Sequence, residues 1–412
     1  MNLPGWRDWL YSAKAFTAAM LALYVALALS LPNPYWSMAT VYIVSHPLSG
    51  ATRSKAIYRA GGTFLGAAAA VAMVPPLVQT REVLALVMAA WTGSMLYLAL
   101  LDRTPRGYTF MLAAYTTPLI GMPAFAQPLA IFDLALARTE EILLGIVCAS
   151  VVSAVVFPSR IAAVLGPRMA AMLGDAASWA ATVMRGRANA APPDARNRLL
   201  ADVVGMDALV RQLSYDASSR RQAEHARQMQ RRLTMLIPQV SALADPLYAL
   251  DAHAGGVPAE LAGLVGETVA WMRRGADAPV DASDRLRAAA ERVEAALPAV
   301  WRAPQVLISN ALVRLREVVE LWQDCTVLQR AYVRAESGEA EPLRYRARVP
   351  AGRARHYDHL LLGASAFAAA AAMFVGTLLW IELGWTDGTS AVVLAAVACC
   401  FFAAVDDPAP LL

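Results

Sequence analysis

Hydrophobic and polar positions separate into long blocks along the chain. Eight blocks are apolar: residues 12–31, 35–45, 58–78, 83–101, 108–125, 134–157, 360–383 and 390–405. Most run roughly 20 residues, the length at which a helix crosses about 30 Å of hydrocarbon. The second and eighth are shorter and read as tilted, extended by their flanks or incompletely spanning. The first block has the basic start of a signal peptide, with Arg7 and Lys14. It runs too long for one, and Pro32-Asn33-Pro34-Tyr35-Trp36 is a poor cleavage context, so it reads as a retained helix.

Between the sixth and seventh blocks the pattern changes. Apolar residues recur at helical spacing, as in Leu199, Leu200, Val203, Val204, Met206 and Val210, and again from Val306 through Leu312, Leu315, Val318, Val319 and Trp322. Helix breaks are expected at Ala191-Pro192-Pro193, Pro238, Pro246, Gly255-Gly256-Val257-Pro258, Ala278-Pro279 and 298–304. The expected fold is all-α: a polytopic membrane helix bundle with a helical cytoplasmic domain, of about five helices, between two membrane halves. The domains read as 1–158 (six membrane helices), 159–355 (cytoplasmic) and 356–412 (two helices of a second, incomplete membrane set).

Composition agrees: 58% of residues are hydrophobic and 17% charged. Charge gives the orientation. Arg7, Lys14, Arg53, Lys55, Arg59, Arg103, Arg106 and Arg160 fall at alternate ends of successive blocks, and the opposite loops carry only Arg81. The positive-inside rule then puts the N-terminus and 159–355 in the cytoplasm of a bacterium, with the chain in its inner membrane. Residues 159–355 hold 27 arginines, no lysine and 21 acidic residues. Arg220-Arg221, Arg227 and Arg231-Arg232 read as a solvated face, with anionic lipid headgroups as a lesser alternative. Acidic residues mixed through the segment and the lack of interleaved aromatics argue against nucleic acid. Arg344, Arg346, Arg348, Arg353 and Arg355 read as a juxtamembrane anchor.

Several chemistries are excluded. Lys14 and Lys55 are the only lysines and neither follows a glycine, so there is no phosphate-binding GxxxxGK[ST] loop. HExxH and GxSxG are absent and the five histidines are scattered. Cys148, Cys325, Cys399 and Cys400 show no metal-ligand spacing and read as small apolar filler. No catalytic residue, metal or cofactor is expected.

The membrane half carries the candidate chemistry. Arg138, Glu140 and Glu141 lie in an otherwise apolar block, where each charge costs about 2.5–3.5 kcal/mol at a helix centre and commonly marks a solute or proton path. A helix starting at Leu134 puts the glutamates about 10 Å inside, toward the periplasmic face rather than the midplane. Arg138 and Glu141, three apart, share a face and are expected to pair, with Glu140 pointing elsewhere. Tyr35 and Trp36 read equally as interfacial aromatics and as a stacking surface for an aromatic solute. The second block breaks at His46-Pro47, and the fifth contains Tyr115-Thr116-Thr117-Pro118; interrupted helices are where transporter sites form. Gly62, Gly66 and Gly145 read as close helix-packing positions, and Arg59 as an anchor at the cytoplasmic helix end.

Together these residues resemble the fusaric acid resistance protein family, whose relatives include aromatic carboxylic acid exporters. The motifs that carry the resemblance are PYWSMAT at 34–40, RxxGTxxG at 59–66, RxEEILLG at 138–145 and Phe157-Pro158. Members commonly have Gln-Pro where this chain has His46-Pro47. They also have a full second membrane set, so the chain is expected to be truncated. Trp385-Thr386-Asp387-Gly388 looks like the second-half counterpart of the Tyr35-Trp36-Ser37 turn.

The resemblance implies an inner-membrane exporter of aromatic or other weak organic acids, powered by the proton gradient beside a separate periplasmic adaptor protein. The expected substrate path runs past Tyr35, Trp36, Thr40, His46, Tyr115, Thr117 and Asp387. Arg138 would hold the carboxylate and Glu140 or Glu141 would carry the proton; protonation of Glu141 would release Arg138 for the anion. A passive anion channel, a non-transporting scaffold and a homo-oligomer stay open.

Overall fold

The computed structural model describes residues 5–102, 104–125, 127–185, 193–215, 220–253, 255–279, 281–298, 302–334, 342–345, 357–385 and 387–403. Arg103, Arg346, Arg348, Arg353, Arg355, Ala191, Pro192, Thr386 and 404–412 lie outside the described residues. Among the described residues the elements are helical, with no strand. In chain order they are α1 (Trp6–Ala28), α2 (Tyr35–Val44), α3 (Ser49–Leu77), α4 (Arg81–Leu101), α5 (Gly107–Gly121), α6 (Ile131–Val155), α7 (Ile161–Met184), α8 (Pro193–Leu213), α9 (Arg220–Asp251), α10 (Ala259–Arg274), α11 (Ala282–Ala295), α12 (Ala303–Arg334), α13 (His359–Leu383) and α14 (Gly388–Phe402). They divide into two compact units, one of residues 1–159 with 353–412 and one of 160–352.

The first unit is a multi-pass membrane bundle. Its outer surface is apolar, with Trp9, Phe16, Tyr24, Leu27, Phe132, Phe367 and Leu394 all exposed, which is stable only against lipid or protein. The helices approach closely through small residues. A Cβ on Gly62 would lie 2.6 Å from the Thr109 carbonyl oxygen, and one on Gly66 would lie 2.7 Å from Thr116 Cβ, so α3 sits tight on α5. On Gly145 it would lie 2.4 Å from the Ser37 oxygen, which fixes α6 against α2. Such contacts are how membrane helices gain packing energy without a hydrophobic drive. α13 packs on α4, where Gly93 meets the Ala366 backbone, and α14 reaches α5.

Several boundaries differ from the sequence expectation, and two of them move the candidate residues. α3 starts at Ser49, nine residues before the apolar block at Tyr58, because Ser54 and Thr52 are buried along with the alanines of that turn. α6 starts at Ile131, preceded by short 3-10 turns at Pro123–Phe125 and Pro128–Ala130. Glu141 is therefore ten residues from one end and fourteen from the other, about 15 and about 21 Å along the axis. The cluster sits near the middle of the helix, not toward its outer end.

The second unit is built on α9 and α12, each of 32 residues. Leu233, Leu236, Ile237, Val240, Leu243, Leu247 and Leu250 form one buried stripe of α9, and Leu312, Leu315, Val319, Trp322 and Tyr332 answer from α12. α9 is long and apolar enough to cross a bilayer, as are α1, α3, α4 and α13. Its apolar residues lie on a single face, however, with exposed Arg220, Arg221 and Glu224 off that stripe, so it reads as a bundle helix. The expected breaks at Pro238 and Pro246 do not occur: both prolines are inside α9. Each costs about 3 kcal/mol of helix propensity, which a buried stripe this long offsets. Among the described residues this unit has six α-helices, α7 to α12, in place of the expected five. Asp324, buried, accepts from Arg232 Nε at 2.7 Å and from the backbone amides of Arg344 at 2.8 Å and Tyr345 at 3.2 Å.

Candidate anion site in the membrane unit

α2 has ten residues, about 15 Å, half a membrane span. The turn before it is fixed to α6: Glu141, fully buried, accepts the Asn33 backbone amide at 2.6 Å through Oε1. From there α2 runs alongside the second half of α6, packing Val41 and Val44 among Ile142, Ile146, Ala149 and Val152. The chain breaks at Ser45-His46-Pro47, where side chains satisfy the freed backbone groups, as irregular backbone within a membrane protein requires. Leu48 N–H donates to His46 Nδ1 at 3.1 Å, His46 N–H to Thr52 Oγ1 at 3.1 Å, and Tyr11 Oη to the Ser45 oxygen at 3.2 Å. A cavity of about 20 Å³ there is lined by Tyr11, Lys14, His46, Thr52 and Ser153.

One helical turn separates Trp36 and Thr40, so they share a face of α2. Each meets an arginine. The Arg138 guanidinium carbon lies 3.3 Å from the centroid of the Trp36 ring, a cation–π contact. Arg59, on α3, directs Nη2 to Thr40 Oγ1 at 3.5 Å and Nη1 to Tyr108 Oη at 3.4 Å. Arg59 is 3% exposed and Arg138 7%. The Nε of each is buried without a hydrogen-bond partner, as are Ser37 Oγ, Thr63 Oγ1 and Glu141 Oε2. Among the described residues of this unit, the buried charged side chains are Arg59, Arg138 and Glu141. Among the described residues, no carboxylate comes within ion-pair distance of either guanidinium.

The expected Arg138–Glu141 pair is therefore not made. Trp36 covers the guanidinium and the Asn33 amide takes the carboxylate. Of the other predicted residues, Trp36 and Thr40 join this cluster. Tyr115, buried, borders it and stacks on Phe401 with ring centroids 5.6 Å apart. Tyr35 is half exposed beside Trp36. Glu140 is exposed on the outer face of α6. Thr117 does not offer its hydroxyl to a path: it is fully buried and bonds the Gly66 and Ala113 carbonyl oxygens at 3.1 and 3.0 Å. Asp387 is exposed at the turn before α14. Arg59 departs most from expectation. It lies ten residues into α3, about 15 Å from the helix start, inside the bundle rather than at its end. Its spacing to Gly62 and Gly66, three and seven residues on, already put it on the packing face.

Fold and site together define a multi-pass helical membrane protein with an excess of positive charge in its interior. The family comparison gives it a lineage: the chain belongs to the fusaric acid resistance protein family, whose model matches residues 8–412. It is 26% identical over 402 residues to the p-hydroxybenzoic acid efflux pump subunit AaeB of Pectobacterium carotovorum subsp. carotovorum (strain PC1), covering 94% of this chain and 57% of that one. It is 34% identical over 153 residues to the uncharacterized transporter YdhK of Escherichia coli (strain K12), covering 36% of this chain and 23% of that one. The AaeB subunit of Enterobacter cloacae is 32% identical over 160 residues, 37% of this chain and 24% of its own. The chain thus spans less than two thirds of the length of the relatives it matches.

Proposed function

We propose that the chain works in a bacterial inner membrane as an exporter of aromatic or other weak organic acids in ionised form, drawing on the proton-motive force. The observation that carries this reading is the Arg138 guanidinium, buried face-on to Trp36 and making no ion pair among the described residues. An unpaired cation at mid-helix is costly, and such residues in membrane proteins serve ion and solute paths. An aromatic acid complements both parts, its carboxylate the cation and its ring the neighbouring indole. The efflux names of the AaeB relatives support the solute class, and the word subunit in them supports a separate partner, for which a periplasmic adaptor is the natural form. The basic residues at alternate helix ends support a cytoplasmic N-terminus and a cytoplasmic 159–355 domain between two membrane stretches.

The electrical part of the drive follows from charge alone. An anion leaving a cell with a negative interior gains about 2.3 kcal/mol per 100 mV. Glu141 is the residue we assign to the proton. It is the single acid among the three charged side chains buried in the described residues of this unit, so its charge state changes the net charge an anion meets.

Inverted membrane vesicles containing the full chain test this. They are expected to accumulate labelled 4-hydroxybenzoate when energised and to stop when a protonophore is added. Arg138→Gln is expected to lower the initial rate at least tenfold. Full activity and an unchanged pH-gradient response in Glu141→Gln would remove Glu141 from the coupling, and voltage-dependent current with no pH response would make the protein a passive channel.

A further inference from the structure

We infer that Arg59 and Arg138 act together as a two-guanidinium receptor that holds one carboxylate between them, with Arg59 the second binding cation. Sequence order hides the pair, because the two lie 79 residues apart on different helices. α2 brings them together. Trp36 faces Arg138 and Thr40 faces Arg59, and residues four apart on a helix have Cβ atoms about 5–6 Å apart. The two guanidinium groups are close enough for their charges to act on each other.

Three further observations point to a ligand. Both Nε groups are buried and unpartnered, as are the hydroxyls of Ser37 on α2 and Thr63 on α3. Buried donors in this state normally have a partner. The contacts of Arg59, with Thr40 and Tyr108 at 3.5 and 3.4 Å and with the Tyr115 hydroxyl, are all to neutral groups and leave its charge uncompensated. Finally, two buried cations face one buried acid, and that acid already accepts a backbone amide. A bound anion balances the charge. A guanidinium fork fits a planar carboxylate better than a spherical halide, and a neutral ester gives no charge to pair.

The solute class rests on the export reading above; the two-cation geometry does not. The experiment is direct binding of 4-hydroxybenzoate to the purified full chain in lipid nanodiscs, by calorimetry. Arg59→Gln and Arg138→Gln are each expected to weaken binding at least tenfold. Arg81→Gln, which removes the same charge at an exposed position, is expected to leave it unchanged. Arg59→Lys keeps the charge and serves if Arg59→Gln does not fold; it is expected to bind several-fold more weakly, and equal binding would count against the fork. On the unaltered chain, the methyl ester is expected not to compete and chloride to compete only weakly. Wild-type affinity in Arg59→Gln, or equal competition by the ester, overturns the inference. Transport with a silent Arg59 would sink the receptor and leave the export reading standing; carboxylate binding without transport would do the reverse.

Discussion

A methyl group on Gly145 would lie 2.4 Å from the Ser37 carbonyl oxygen and 2.8 Å from Thr40 Cβ. The first of these is backbone and cannot swing aside. Gly145→Ala must therefore push α2 away from α6, at a cost of about 1–3 kcal/mol, and move Thr40 off Arg59. The expected result is a lower melting temperature and at least a tenfold loss of 4-hydroxybenzoate binding. Gly174→Ala is the control: nothing lies within 4 Å of its would-be Cβ, and neither quantity should fall. At this scale the sequence was legible for glycines and less so for charges. Spacing alone put Gly62, Gly66 and Gly145 on packing faces. Arg59 was misread because Arg53 and Lys55 precede it and make it look like the last of an anchoring group, while the polar first turns of α3 concealed how far inside the helix it stands.

Elements in the second unit are tied by carboxylates. The short stretch 342–345 is held by buried Asp324 and by Asp284, which accepts Arg344 Nη2 at 3.0 Å. The Arg344 hydrogen bonds, joined by those of Arg287, pull the Asp284 carboxyl from 3.8 down to about 2. The folded-state value is the lower one, so this tie contributes fully above pH 3.8 and is lost as pH falls toward 2. Asp284→Asn should then lower the thermal stability of the full chain at pH 6, and the gap from wild type should close between pH 4 and pH 2. A gap that persists at pH 2 would show that the side chain acts through packing. Helix existence was readable here from period alone, while boundaries were not. Pro238 and Pro246 are strong local breakers, and what overrides them is the long contact of α9 with α12, which no local window contains. The start of α6 was missed for a related reason: Asp133 interrupts the apolar run although it suits a first helical turn.

At the scale of the whole molecule, the alternation of blocks was enough to give a helical membrane protein, and ordered motifs were enough to give the family. What composition could not separate was α9, which passes every length and hydropathy criterion for crossing a bilayer. With Glu224→Cys as the single cysteine, at a half-exposed site on α9, a charged maleimide should label inverted vesicles and leave intact cells unlabelled. Labelling of intact cells would reverse the proposed orientation, and labelling of neither would put α9 in the bilayer. The short length of α2 has one more consequence. A helix that begins beside Glu141, near the middle of α6, brings its dipole there, equivalent to about half a positive charge at Tyr35–Ser37. Water at a membrane surface would screen that half-charge; buried beside Arg138 it is felt in full, so the protein's own backbone adds to the attraction an entering anion meets, and some of that attraction survives when either arginine is removed.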